Sequence, residues 1–218
     1  MADSMFGDGL IVSVTQLKTE DLTQVFSDAF EVQRSGSVPI QGDEDDETKA
    51  DPVDLAAMML ARFHLVVSSS PMEVQGVELP FKVSLHQPDT GELLEEELVG
   101  VIDLVVREDG RLVVVEHKTA AKKYGADQLR YHFQPTAYQL ALRQVGHQEV
   151  GLRFQIVTKT KSPHVQLEDV IRTQADEADF QRTAVGVLRA IDVGAFFPVR
   201  GWQCKTCPFQ HACVGGRS

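Results

Sequence analysis

The sequence predicts an α/β protein in which a mixed sheet is flanked by helices and followed by a C-terminal cysteine-rich hook. Three observations carry this. Two apolar runs flank Asp109-Gly110, a dipeptide whose φ > 0 preference suits the two-residue type I′ turn of a β-hairpin. Runs of helical periodicity precede and follow that hairpin. A further alternating run, Gly151 to Lys161, comes after the second of these helices.

Taken in order, the chain begins irregularly and then places apolar residues at 22, 25, 26, 29 and 30, a helical period. Ser35 to Ala50 has glycine, proline and the acidic run 43–47 but no periodicity, and reads as a solvated loop. Residues 1–50 therefore form an N-terminal helical segment with an acidic loop. Asp51-Pro52 opens a helix in N-cap and N1 order, running to about Val67 with Leu55, Met58, Met59, Phe63 and Val66 on one side. Val77 to His86 reads as a strand and Pro88 to Gly91 as the turn after it. Glu97 to Val106 and Arg111 to Lys118 complete a three-stranded antiparallel meander.

The segment Ala120 to Gly125 is flexible and basic. Proline is best tolerated at a first helical position, so Pro135 starts a helix that Gly146 ends. In the next strand Leu152, Phe154, Ile156 and Thr158 alternate, and Pro163 to Thr173 returns beside it. Asp176 to Gly194 is a helix with Phe180, Ala184, Val187, Leu188 and Ile191 on one face. Residues 51–200 thus make the core domain and residues 201–218 the hook.

The hairpin's register brings charged groups together. With Asp109 and Gly110 as turn residues, Glu108 faces Arg111, Val105 faces Val114 and Asp103 faces Glu116. Alternation puts Asp103, Glu116 and Lys118 on one face and Leu104, Val106, Val113 and Val115 on the other. Opposed residues have Cβ atoms about 4.5–5.5 Å apart, so two facing acids repel unless neutralised. On this ground Asp103→Asn and Glu116→Gln leave the fold intact and stabilise it. A divalent cation neutralises the pair equally well, since Mg²⁺ is held by one or two carboxylates plus water and phosphate oxygens. Lys118 then contacts a phosphate or a metal-bound water. The plainer alternative is a solvated face with the acids balanced by lysine. Gln134 and Tyr138, four apart, lie together at the start of their helix, whose free N–H groups suit a phosphate.

The chain has 218 residues, 43% hydrophobic and 24% charged, as in a soluble globular protein. No apolar run is long enough for a membrane span and there is no signal sequence, which points to the cytoplasm. A net charge of −11 argues against broad nonspecific adhesion to nucleic acid, although a local basic patch can still act within the roughly 8 Å screening length. The three cysteines, Cys204, Cys207 and Cys213, all lie at one end, which suits metal ligands better than disulfides. Their spacing suits zinc or an iron–sulfur cluster, each of which normally takes four protein ligands. His211 or an external ligand could supply the fourth for zinc.

Asp103, the hairpin, and then Glu116-His117-Lys118 resemble the D…(D/E)xK signature of the PD-(D/E)XK nuclease superfamily. Gln134 to Tyr138 resembles the QxxxY motif of its RecB-like branch, which includes helicase-associated and CRISPR-associated nucleases. Cys204, Cys207 and Cys213 resemble that branch's C-x₂-C-x₅-C run, which holds a 4Fe-4S cluster. The resemblance implies a restriction-endonuclease-like core and a metal-dependent DNA nuclease, an exonuclease of DNA repair, recombination or defence that acts on single-stranded ends beside a helicase or another nuclease-complex subunit. Asp103, Glu116 and the backbone carbonyl of His117 then bind Mg²⁺ or Mn²⁺. Lys118 activates water, Gln134 and Tyr138 hold the strand, and Lys122, Lys123, Lys159 and Lys161 contact phosphates.

The pattern departs from the family where its FGxxxH-like segment places a metal-binding histidine: here Phe6-Gly7 leads to Ile11. His64 is the nearest substitute, Glu78 a further auxiliary residue or an edge-strand charge, and an upstream segment is expected to be missing. Two rivals follow: a catalytically degenerate DNA-binding subunit of a larger complex, and a metal-stabilised protein-interaction module.

Overall fold

The computed structural model describes residues 18–35, 51–68 and 72–215. The acidic loop and the segment around Phe6 to Ile11 lie outside them. Two helices come first, α1 (Thr19–Ser35) and α2 (Pro52–Val67). As the Asp-Pro pair predicts, the Asp51 carboxylate caps α2 by accepting from Val53 N at 2.7 Å.

A five-stranded sheet follows, β1 (Glu73–His86), β2 (Leu93–Glu108), β3 (Arg111–Ala120), β4 (Val150–Thr158) and β5 (Val165–Val170), in that spatial order. β1, β2 and β3 form the antiparallel meander. The β2–β3 turn takes φ of 49° at Asp109 and 80° at Gly110, the two positive values that a type I′ turn requires. Glu108 opposes Arg111 and Val105 opposes Val114, the register expected.

β4 pairs parallel with β3, which requires a crossover. That connection holds α3 (Ala126–Tyr131) and α4 (Gln134–Gln144). The short helix α3 lies between the flexible segment Ala120–Gly125 and Pro135, in a stretch to which the sequence analysis assigns no element. β5 returns antiparallel and leads into α5 (Gln174–Asp192). A short 3-10 turn (Trp202–Thr206) and α6 (Gln210–Gly215) end the described chain. No helix among the described residues is long and apolar enough to cross a membrane.

The larger core lies between one sheet face and the helices α4 and α5, joining Val83, Ile102, Val105, Val114 and Leu152 to Tyr138, Ala141 and Phe180. Of the face expected for α5, Phe180 is buried, but Val187 and Ile191 are about half exposed and Val185 is buried in their place. The other face carries Leu104, Val106, Val113 and Val115 together, as alternation predicts. There Phe63 of α2 meets the His117 ring edge-on at 5.7 Å.

Alternation along β2 slips once. Ile102 and Val105, three apart, both enter the larger core, so the strand changes parity across Asp103. Opposite this slip, between the pairs Val77–Leu104 and Leu79–Ile102, sits Glu78 with a positive φ of 49°.

Candidate active site

The slip in β2 frees Asp103 from ordinary pairing. The β2–β3 ladder stops at Leu104–Val115, and the Asp103 carboxylate then accepts from His117 N at 2.9 Å. A side-chain oxygen thereby replaces the next ladder acceptor and fixes Asp103 beside the Glu116–Lys118 stretch.

Glu116 is a carboxylate in the interior, only 2% exposed. Burial of such a group demands partners. Lys118 Nζ donates to one of its oxygens and the Tyr138 hydroxyl to the other, the latter at 2.6 Å. Lys118 also donates to Gln134 Oε1 at 2.7 Å, and the Gln134 amide nitrogen donates to the Tyr138 hydroxyl at 3.2 Å. The four side chains close a ring: Glu116, Lys118, Gln134, Tyr138 and back to Glu116. The helix spacing of four expected for Gln134 and Tyr138 puts both on the sheet-facing side of α4, and the β3 spacing of two puts Glu116 and Lys118 under them. Burial, together with the bond to the Glu116 carboxylate, pushes the Tyr138 phenol far above its ordinary pKa, so it remains a donor.

This arrangement revises the expectation that neutralising Glu116 relieves repulsion. Its charge is already matched by an ammonium and a phenol, so its loss removes attraction. The start of α4 also offers less to a phosphate than expected. Pro135 has no N–H, and the Phe133 carbonyl takes those of Thr136 and Ala137 at 3.0 and 3.1 Å.

His117 projects to the opposite face, where burial holds its pKa below the usual imidazole value against the pull of Asp103 and Glu116. His64 is turned to α1, its Nδ1 3.2 Å from Thr19 Oγ1. Glu78 is exposed. Among the described residues no group of three or more His, Cys, Asp or Glu side chains is placed to hold a metal ion. The donors at the site are thus two hard carboxylates, a set that fits a hard divalent cation completed by water and phosphate oxygens. Among the described residues the thiols of Cys204, Cys207 and Cys213 are free and form no ligand group with one another or with His211.

Lys122, Lys123, Lys159 and Lys161 are exposed on two loops at the C-terminal ends of β3 and β4, joined where Lys159 N donates to the Ala120 carbonyl at 2.7 Å. They lie at the end of β3 that carries Lys118.

Sequence reasoning missed two residues. The buried Arg172 guanidinium donates to the carbonyls of Leu129 and His132 at 2.8 and 3.1 Å and to Thr136 Oγ1 at 3.1 Å, clamping α3 to the start of α4. His132 packs edge-on against Phe154 at 5.3 Å, within electrostatic reach of Lys118 and Glu116. Neither sits in a motif or at a periodic position, so the sequence carries no signal for them.

Comparison with known proteins gives likenesses of fold and one of family. A candidate exonuclease from Eubacterium rectale superposes with a TM-score of 0.52 at 16% identity, covering 93% of this chain and 76% of that one, a likeness of fold. SSO0001 gives a TM-score of 0.48 at 13% identity over 95% of this chain and 86% of its own. No curated protein is detectably similar in sequence. A family model of the PD-(D/E)XK nucleases matches residues 12–214. With that match spanning nearly the whole chain and the D…ExK residues gathered at one site, the chain belongs to the PD-(D/E)XK nuclease superfamily.

Proposed function

We propose that the protein is a divalent-metal-dependent DNA nuclease, an exonuclease hydrolysing phosphodiester bonds at single-stranded ends. The observation that carries this reading is the closed ring of Glu116, Lys118, Gln134 and Tyr138 beside Asp103. A structural ion pair needs no such arrangement, whereas catalysis needs its lysine held in one place.

In this reading Asp103 and Glu116 hold Mg²⁺ or Mn²⁺, with the His117 backbone carbonyl as a further ligand. The bound ion supplies Lewis acidity toward the phosphoryl oxygen and a water of lowered pKa. Lys118 orients the attacking water and offsets the charge that develops on the phosphate. Gln134 accepts from Lys118 and so sets the direction of its ammonium. Tyr138, 3% exposed, acts through Glu116 by fixing its carboxylate. The exposed lysines 122, 123, 159 and 161 take phosphates along the strand. Motif order like that of the RecB-like branch supports a role in repair, recombination or defence beside a helicase or other nuclease subunit. The cysteines take no part in these steps. Iron, sulfide and zinc analysis of anaerobically purified protein decides whether the hook carries a 4Fe-4S cluster or zinc.

The test is digestion of end-labelled DNA with Mg²⁺, Mn²⁺ or EDTA, comparing wild type with Lys118→Ala. Metal-dependent cleavage by wild type that the substitution abolishes is expected. Cleavage that survives Lys118→Ala unchanged sinks the assigned site. Wild type that binds DNA but is inert with both metals makes the protein a DNA-binding subunit.

A further inference from the structure

Beside the ring, on the same sheet face, lies an open cleft of about 280 Å³. Its walls are Phe81, Leu98, Phe133 and Phe180, and Gln134 and Tyr138 belong to its lining as well as to the ring. Among the described residues no charged side chain lines it. Phe133, the residue before Gln134, is half exposed, with its ring edge-on to Phe180 at 5.8 Å. Phe81 meets Tyr138 edge-on at 5.7 Å, so the aromatic lining runs from the cleft directly into the catalytic ring.

Resting on the nuclease reading above, we infer that this cleft receives one unpaired base of single-stranded DNA, stacked on Phe133, and that Phe133 sets the preference for unpaired ends. The argument is one of adjacency and size. A strand whose phosphate lies at Lys118 has its neighbouring base within reach of a cleft that shares Gln134 and Tyr138 with the site. The cleft takes a single planar base, whereas a duplex keeps its bases paired and stacked away from it. An aromatic platform without charges, next to exposed lysines that track the backbone, is the division of labour by which proteins hold single strands without reading sequence. Gly100 helps to keep the cleft walled, because the Phe81 ring occupies the space where a side chain at that position would project, 2.6 Å from the ideal Cβ.

The experiment measures fluorescence anisotropy of labelled oligonucleotides at one fixed low salt in EDTA, so that the readout is independent of cleavage. Wild type is compared with Phe133→Ala, Phe133→Leu and Phe133→Trp on an oligothymidylate strand and on a blunt duplex. Phe133→Leu keeps the apolar contact with Phe180 and so guards against a folding defect. Expected is a loss of about tenfold in single-strand affinity for the alanine and leucine variants, the size of one base–aromatic stack, with tryptophan near wild type and duplex affinity unchanged. A strand with one abasic nucleotide, scanned along its length, weakens wild type by the same factor at one position and leaves Phe133→Leu unaffected. Single-strand affinity of Phe133→Leu equal to wild type, or a flat abasic scan, overturns the inference. Wild type that shows the Phe133 dependence but never cleaves defeats the nuclease reading alone. Wild type that cleaves with Phe133 indifferent defeats the base cleft alone.

Discussion

Replacing Lys118 with methionine leaves a carboxylate in the interior with its cation gone. Breaking a buried ion pair by removing one partner costs about 3–5 kcal/mol. Glu116 is 2% exposed and keeps only the Tyr138 hydroxyl, but the Lys118 side chain is 22% exposed, so water already screens part of the attraction. The expected loss is therefore about 2–3 kcal/mol, a fall of roughly 5–10 °C in Tm for a chain of this size. Glu116→Gln alone loses about 1–2 kcal/mol, because Lys118 and Tyr138 then donate to a neutral amide. Adding Glu116→Gln to Lys118→Met removes the unpaired charge and restores about 1–2 kcal/mol relative to Lys118→Met. Urea unfolding followed by circular dichroism, in EDTA near neutral pH, gives all three values and their coupling energy. A Lys118→Met protein as stable as wild type, or a double variant less stable than Lys118→Met, refutes the claim that this lysine neutralises a buried Glu116.

Asp103→Asn keeps an oxygen to accept from His117 N, so it should abolish cleavage while changing stability by less than about 0.5 kcal/mol. Asp103→Ala removes that acceptor, and hydrogen exchange at the His117 amide should accelerate in it and not in the asparagine variant. Gly100→Ala puts a methyl into the Phe81 ring, which is itself buried, and should destabilise by about 1–3 kcal/mol in urea titrations, a cost that Phe81→Leu in the same chain reduces. Burial, with Lys118 adding to it, holds the His132 pKa below 6.5, so below that pH the unfolded chain binds more protons than the folded one and stability falls as pH falls. His132→Phe, which keeps the packing against Phe154, should flatten that acid limb. An unchanged pH profile of unfolding would rule His132 out as its source.

The hairpin was legible because two local rules coincide: Asp109-Gly110 admits one tight turn, and a period of two then assigns every side chain a face. Asp103, Glu116 and Lys118 follow from that register alone, as do Leu104, Val106, Val113 and Val115 opposite them. The parity slip at Asp103 was not legible, because it answers to the neighbouring strand and the positive φ of Glu78 rather than to β2's own residues. β4 shows single alternation in sequence but is covered on both faces, so that Gln155 and Val157 are also buried. The six residues of α3 are too few for a periodic signal. That Gln134 turns to Lys118 while Tyr138 turns to Glu116 depends on rotamers chosen in packing, which spacing along a helix does not encode.

Asp103 and all four side chains of the ring come from one continuous stretch, residues 103–138, running through β2, β3 and α4. The ring's own contacts close over separations of 2, 4, 16 and 22 residues. Loop-closure entropy at such lengths is small, so this is the part of the molecule best placed to organise early, ahead of the return of α5 onto the sheet. Substitutions in the ring are therefore expected to slow refolding and those along α5 chiefly to hasten unfolding, a division that stopped-flow refolding and unfolding rates check.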